Sequence, residues 1–260
     1  MSTGLAGASV ARMRQILPTA AADVDPLALY TDDERPAPAD RPWLLVGMIA
    51  SVDGGTTLGD VSGPLGGAAD KKVFGAVRAT ADVILVGSAT VRAERYGPPR
   101  TTEETRRVRR DHGRRPTPRL ALLSGRLAVD LDSPVFTDAD PDARPIVVTA
   151  EEAPADRRTA AADLAEVVVA GKRHVDIPAA LGQLRRAGVE VVLAEGGPGL
   201  NGHLLAADVV DEVCLTISPL LAGGDSRRIV HDAANAGPEA LRLDRVLEED
   251  GLLFLRYVRA

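Results

Sequence analysis

Val191-Val192-Leu193-Ala194-Glu195-Gly196-Gly197-Pro198-Gly199-Leu200-Asn201-Gly202 is the stretch on which the fold turns. Val189 to Ala194 is apolar and mostly β-branched apart from Glu190, the composition of a buried strand. The apolar run through His203-Leu204-Leu205 reads as a helix, and three close glycines and Pro198 lie between the two. Such a strand–glycine–helix turn presents free backbone N–H groups, at the positive end of a helix dipole, to a phosphate. Glycine lets the backbone approach a ligand where a Cβ would collide. The glycines at 196, 197, 199 and 202 do not follow the dinucleotide pattern G-x-G-x-x-G. A tight turn with no ligand is therefore the plain alternative for this stretch alone.

Two more strand ends carry the same signature. Trp43 to Ala50 is nearly all apolar, as expected of a strand buried on both faces, and it ends in Ser51-Val52-Asp53-Gly54-Gly55. Ala81 to Val86 ends in Gly87-Ser88-Ala89-Thr90, with Ser88 a plausible helix cap. A fourth strand, Pro118 to Leu123, ends in Ser124-Gly125-Arg126. Helices are expected over Asp70 to Arg78, Arg157 to Leu164 and Ile177 to Ala187, and strands over Pro145 to Thr149, Glu166 to Ala170 and Asp211 to Ser218. Leu241 to Glu248 and Gly251 to Val258 alternate like antiparallel strands. The expected fold class is α/β: a mostly parallel sheet with flanking helices and an antiparallel C-terminal edge. Residues 1–40 read as an extension or linker with a short helix over Val10 to Ile16, and 41–260 as the main domain. The arginine-rich segment 97–118 reads as a mobile, solvated loop.

The 260 residues carry a net charge of −6, which argues against a general nucleic-acid surface. Nothing approaches the ~20 apolar residues of a membrane span, and Met1 to Arg12 lacks the pattern of a secretory leader, so a cytoplasmic location is expected. The single cysteine, Cys214, excludes an intrachain disulfide framework and a cysteine-cluster zinc site, and its apolar neighbours make it a buried thiol. The four histidines are scattered without metal spacing, so no metal is expected. No nucleophile elbow and no Walker loop is present.

In an open α/β sheet, ligands bind beyond the carboxyl ends of the strands. A polyphosphate cofactor lying across several glycine turns is the economical explanation of their number. Ser124 and Arg126 suit a ribose 2′-phosphate, because a guanidinium matches phosphate oxygens with paired donors. Asp53 and Glu195 stand at two of the turns, where a carboxylate either recognises a substrate N–H or caps the turn.

Ser51-Val52-Asp53-Gly54, Val86-Gly87-Ser88-Ala89-Thr90-Val91, Ala194-Glu195-Gly196-Gly197-Pro198 and Leu215-Thr216-Ile217-Ser218-Pro219 with Gly223-Gly224 together resemble the pattern of the riboflavin-biosynthesis pyrimidine reductase domain. The resemblance covers most of 43–258 in the right order and implies a dihydrofolate-reductase-like fold. It also implies a homodimer and NADPH-dependent reduction of a ribosylamino-pyrimidinone phosphate to its ribitylamino form. It places the cofactor against Ala50, Gly87, Thr90, Val91, Glu94, Ser124 and the turn Gly196, Gly197, Pro198, Gly199, Leu200, Asn201 and Gly202. It places the substrate near Ser62, Arg78 and Glu195, with Arg78 toward the substrate phosphate and Arg100 the counterpart of a second family arginine. It further suggests a cis Gly196–Gly197 bond. Pro64 stands where members of the family often have tryptophan, and the deaminase half of bifunctional members is absent. A dihydrofolate or pterin reductase, and a nucleotide-binding protein without turnover, are the rival readings.

Overall fold

The structure, a computed structural model, describes residues 12–232 and 237–260. Residues 1–11, on which the leader reading and the start of the expected Val10–Ile16 helix fall, lie outside the described residues.

The chain opens with a strand, β1 (Arg14–Leu17), where the helix was expected, followed by α1 (Pro26–Thr31). The strand forms because an open sheet edge, farther along the chain, supplies partners for its backbone. Then come β2 (Trp43–Ser51), α2 (Ala68–Thr80), β3 (Val83–Gly87) and α3 (Ser88–Ala93). Gly87, not Ser88, occupies the N-cap of α3, and no side chain caps it. The segment read as a mobile loop holds α4 (Glu103–Asp111), which is followed by β4 (Arg119–Leu123), α5 (Pro134–Thr137), β5 (Ile146–Thr149) and α6 (Ala155–Leu164). The chain continues with β6 (Glu166–Val169), α7 (Ile177–Arg186), β7 (Val191–Ala194) and α8 (Pro198–Ala206). It ends with β8 (Glu212–Ser218), β9 (Leu241–Glu249) and β10 (Leu252–Arg259).

All ten strands form one sheet in the order β1-β9-β10-β8-β2-β7-β3-β4-β5-β6. From β8 to β6 every pairing is parallel; β10, β9 and β1 add an antiparallel edge, as the sequence pattern implied. Burial explains the difference in pattern. β5 and β7 are buried at every residue, whereas β8 and β10 alternate strictly. Leu45, Ile84 and Leu193 face the layer containing α2, and Leu44, Leu85 and Val192 face α7 and α8.

One residue of the arginine-rich segment is wholly buried. Arg109 is fully buried and donates to the carbonyls of Ala79 (2.8 Å), Ala81 (2.7 Å) and Arg115 (2.8 Å). It thus satisfies carbonyls at and just beyond the C-terminus of α2 that no further helical turn can reach. Burial pushes its pKa down to about 10, which leaves it charged at neutral pH.

Residues 26–41 are strapped onto the antiparallel edge by charge. Glu212, wholly shielded on β8, accepts Nε and Nη2 of Arg35 at 2.9 Å, Nε of Arg256 at 2.9 Å and the Trp43 indole at 3.0 Å. Asp33 pairs with Arg245 at 2.6 Å, and Arg41 grips Asp211 with two donors at 2.5 and 2.7 Å. Burial alone would raise the Glu212 pKa, but Arg35 and Arg256 reverse this and hold it at about 2. Because that value lies below the ordinary 4.5, the carboxylate's contribution is complete above about pH 4.5 and disappears as pH falls through about 2. Glu212→Gln should destabilise the protein at pH 7 by about 3–5 kcal/mol, since it removes the buried carboxylate that Arg35 and Arg256 share and leaves only Asp33 and Asp244 to balance them. It should also flatten the acid limb of stability, measured by urea unfolding from pH 7 to pH 2. An acid limb as steep in the variant as in the parent would show that other carboxylates control it.

Candidate functional site

The ends of β2, β7 and β3 meet at a cavity of about 1020 Å³ between α2 and the β2–β8 part of the sheet. Its walls include Phe74 and Val77 of α2, Gly47 of β2 and Thr216 of β8. Loops around 56–67 and 222–227 form its mouth. The volume suits a small heterocycle together with part of a larger ligand.

Glu195, at the end of β7, closes one side. Its side chain is 1% exposed and accepts Nε of Arg78 at 2.6 Å, Nη2 of Arg78 at 2.7 Å and the Tyr96 hydroxyl at 2.8 Å. Arg78 also stacks over Phe74, 4.6 Å from the ring centroid. Burial by itself would lower the Arg78 pKa; the hydrogen bonds and charge of Glu195 hold it above the ordinary value. Burial, then the charge of Glu195, keeps the Tyr96 phenol well above its ordinary pKa and so protonated.

The glycine turn follows directly. The Gly196–Gly197 bond is cis, as the resemblance suggested. Gly196 has φ +82, a left-handed conformation, and a Cβ on it would meet the Met48 sulfur at 3.1 Å. A Cβ on Gly197 would lie 2.5 Å from the Thr90 hydroxyl. Gly87 N–H donates to the Gly196 carbonyl at 2.8 Å, so the β3 and β7 turns touch through backbone. Gly197 is the N-cap of α8, and the Asn201 N–H makes a bond of the first helical turn, back to Gly197. Gly199 and Leu200 therefore present the first-turn N–H groups of this helix.

The cavity brings together Ser62, Thr90, Glu94, Glu195, Gly197 and Pro198 from the expected residues. The Ser62 N–H is held by the Glu94 carboxylate at 2.8 Å, so the expected substrate and cofactor sides are in direct contact. Other residues stand elsewhere. Asp53 caps a turn: it accepts the Ser51 hydroxyl at 2.5 Å and the N–H groups of Ala222 (3.0 Å) and Gly223 (2.8 Å), and these bonds lower its pKa to about 2. Its oxygens are occupied by the chain itself. Val91 and Ala50 are buried and do not line the cavity; Val91 is the residue of α3 that packs into the core. Asn201 is buried and its amide holds the Ile229 carbonyl at 2.8 Å; Gly202 is buried within α8. The Leu200 side chain is buried in the core with them, and only Gly199 of this group is half-buried. Arg78 does not line the cavity; it braces Glu195 from behind. Arg100 is exposed and outside the cavity. Ser124 and the exposed Arg126 lie at the end of β4, whose Leu123 pairs with Gly87, one strand away from the glycine turns.

Sequence reasoning missed Asp70, Lys71, Phe74 and Tyr96, all of which line the cavity. Asp70 and Lys71 have the pattern of ordinary first-turn helix charges, and no local signal marks the face they present. Among the described residues no group of three or more histidine, cysteine or acidic side chains could hold a metal, and no helix is long and apolar enough to cross a membrane.

Residues 42–249 match the family model of the RibD C-terminal domain. The 2,5-diamino-6-ribosylamino-4(3H)-pyrimidinone 5′-phosphate reductase of Archaeoglobus fulgidus is 31% identical over 198 residues, 74% of this chain and 87% of its own length. The enzyme of the same name from Methanothermobacter thermautotrophicus is 32% identical over 209 residues, 78% of this chain and 91% of its own. Among solved structures, a pyrimidine reductase-like protein from Corynebacterium diphtheriae superimposes with a TM-score of 0.80 at 28% identity, covering 91% of this chain and 99% of the other.

The contact between the two turns is testable without any ligand. Gly197→Ala should cost about 1–3 kcal/mol of stability, because its methyl group collides with the Thr90 hydroxyl. Adding Thr90→Ala removes the colliding atom and should recover most of the lost melting temperature. Simple additivity of the two substitutions in thermal unfolding would refute the contact.

Proposed function

Because the chain belongs to the RibD C-terminal domain family, we propose that it is an NADPH-dependent reductase of a ribosylamino-pyrimidinone phosphate, the substrate class in the names of its archaeal relatives. The observation that carries this reading is the meeting of the Gly87 and Gly196–Gly197 turns beside a cavity walled by Phe74, Tyr96 and Glu195.

A dinucleotide fits this cradle. Glycine at 196 and 197 lets the turn pack directly against Met48 and Thr90, and the first-turn N–H groups of Gly199 and Leu200 suit a diphosphate. Ser124 and Arg126, one strand farther along, suit the 2′-phosphate that distinguishes NADPH from NADH. When bound, the nicotinamide supplies the hydride that converts a ribosylamino group to ribitylamino. The protein's part is orientation and exclusion of water. Arg78 and Tyr96 hold the Glu195 carboxylate against the cavity, while Phe74 and Val77 provide its apolar wall. Lys71 and Arg227 line the cavity and are the cations placed to meet a substrate phosphate; Arg78 acts on the substrate side through Glu195. A cytoplasmic setting, where such metabolites and reduced thiols occur, completes the reading.

We also assign the working unit as a homodimer. On the sheet face that carries α7 and α8, these helices pack over the parallel strands. Beyond β2 the same face shows Leu215 and Ile217 of β8 and Leu253, Leu255 and Tyr257 of β10, all half-buried and adjacent in register. A contiguous apolar sheet face of this kind fits a second copy of itself about a twofold axis. Leu253→Lys should convert the dimer to monomer in sedimentation velocity; a parent protein that is monomeric at micromolar concentration would overturn the assignment.

For the cofactor, NADPH should bind at least tenfold more tightly than NADH, and Arg126→Ala should close most of that gap. A charge-assisted hydrogen bond is worth ~1.5–3 kcal/mol, about ten- to a hundredfold in affinity. Equal affinities in the parent protein would refute the role of Arg126. Oxidation of NADPH with a panel of pyrimidines and pterins tests the reaction itself. Turnover of a dihydropterin in place of the ribosylaminopyrimidine would move the protein to the folate side, and cofactor binding without turnover of any of them would make it a binding protein.

A further inference from the structure

The carboxylates lining the cavity are accounted for, with one exception. Glu195 is neutralised by Arg78 and Tyr96, Glu94 holds the Ser62 N–H, and Asp60 and Asp225 are exposed at the mouth. Asp70, in the first turn of α2, is half-buried and lines the cavity without a guanidinium or main-chain donor among the described residues. The Thr216 hydroxyl of β8 donates a hydrogen bond to it and Lys71 attracts it, but burial outweighs both and raises its pKa above the ordinary value, and its remaining acceptor capacity faces the cavity. Its position is specified by the chain beneath it. Oδ2 lies where a Cβ on Gly66 would come within 2.4 Å, so a side chain at 66 would displace the carboxylate. A carboxylate removed from bulk water and left facing a cavity calls for donors from the ligand.

The heterocycle in the names of the archaeal relatives supplies two. A 2-amino-4(3H)-pyrimidinone presents N3–H and the 2-amino N–H side by side, spaced like the edge of a guanidinium, and a carboxylate accepts such an edge with both oxygens. The 2-oxo counterpart, a uracil, puts a carbonyl oxygen in place of the amino group. Against a carboxylate it loses one hydrogen bond and sets oxygen against oxygen. We propose that Asp70 selects the heterocycle, accepting N3–H and the 2-amino group of a 2-amino-4(3H)-pyrimidinone and thereby rejecting the corresponding uracil. This rests on the reductase reading and narrows its substrate to the compound that has not been deaminated at C2. The reaction that consumes the product must then remove that amino group, if the final heterocycle carries oxygen there.

The test compares kcat/KM for 2,5-diamino-6-ribosylamino-4(3H)-pyrimidinone 5′-phosphate and for its 2-oxo counterpart, with NADPH saturating. The parent protein should favour the 2-amino compound by a hundredfold or more, because a site built to bond a substrate N–H rejects an analogue that lacks it. Asp70→Asn, nearly isosteric, should lower that ratio at least tenfold, through a higher KM for the 2-amino compound with NADPH affinity unchanged. Gly66→Ala, which displaces Asp70 without altering its chemistry, should move the ratio the same way. A parent ratio near one, or an undiminished ratio in folded Asp70→Asn that still binds NADPH, would overturn the role of Asp70 while leaving the reductase intact. Absence of turnover with both compounds in the parent would instead overturn the reductase reading and this inference with it.

Discussion

A nearly water-free carboxylate, Glu195, is the point on which the site depends. It stands at the end of a strand buried along its length, and its charge is tolerable because Arg78 reaches it from α2 and Tyr96 from the segment after α3. Three elements that are far apart in the chain are therefore held in one geometry. The glycine turn leaves the same strand one residue later, so whatever positions Glu195 also positions the backbone that faces a cofactor. Removing Glu195 or Arg78 would leave the other charge stranded, which makes the arrangement intolerant of partial change.

Charge plays a second, separate structural part at the other end of the sheet. Glu212 and Asp33 gather Arg35, Arg245 and Arg256 into a network that ties residues before the first long strand to the last two strands. The strap brings Tyr30 against the back of the cavity, where it lies over the antiparallel strands. The preceding segment thus helps close the pocket even though the family match begins at residue 42.

Arg109 and Arg126 show how one residue type takes opposite roles. Arg109 is wholly buried, with carbonyls instead of carboxylates as partners, and it gives α4 a reason to fold against α2. Arg126 is exposed at a strand end beside a hydroxyl. Composition treats the two alike. Their surroundings separate them: three carbonyls converge on Nε and Nη1 of Arg109, enough to hold it buried although its Nη2 has no partner.

Much of the architecture was legible in one dimension. Continuous apolar runs at Trp43–Ala50 and Val191–Ala194 mark doubly buried parallel strands, alternation at 241–258 marks the antiparallel edge, and glycines mark the turns, since each of these follows from local period and backbone freedom. The family pattern adds Ser62, Thr90, Glu94, Glu195 and Gly197 to the cavity. What the sequence could not supply was direction and partnership. Asp53 and Glu195 both look like carboxylates at glycine turns, yet one caps a loop 169 residues away and the other is sealed beside the cavity. Asp70 reads as a routine helix-start charge until β8 is laid opposite it and Gly66 beneath it. Residues 14–17 become a strand because β9 offers an edge. Local propensity is a property of neighbours in the chain, whereas burial, ion pairing and the facing of a side chain into a cavity are set by neighbours in space, and only the folded sheet brings those together.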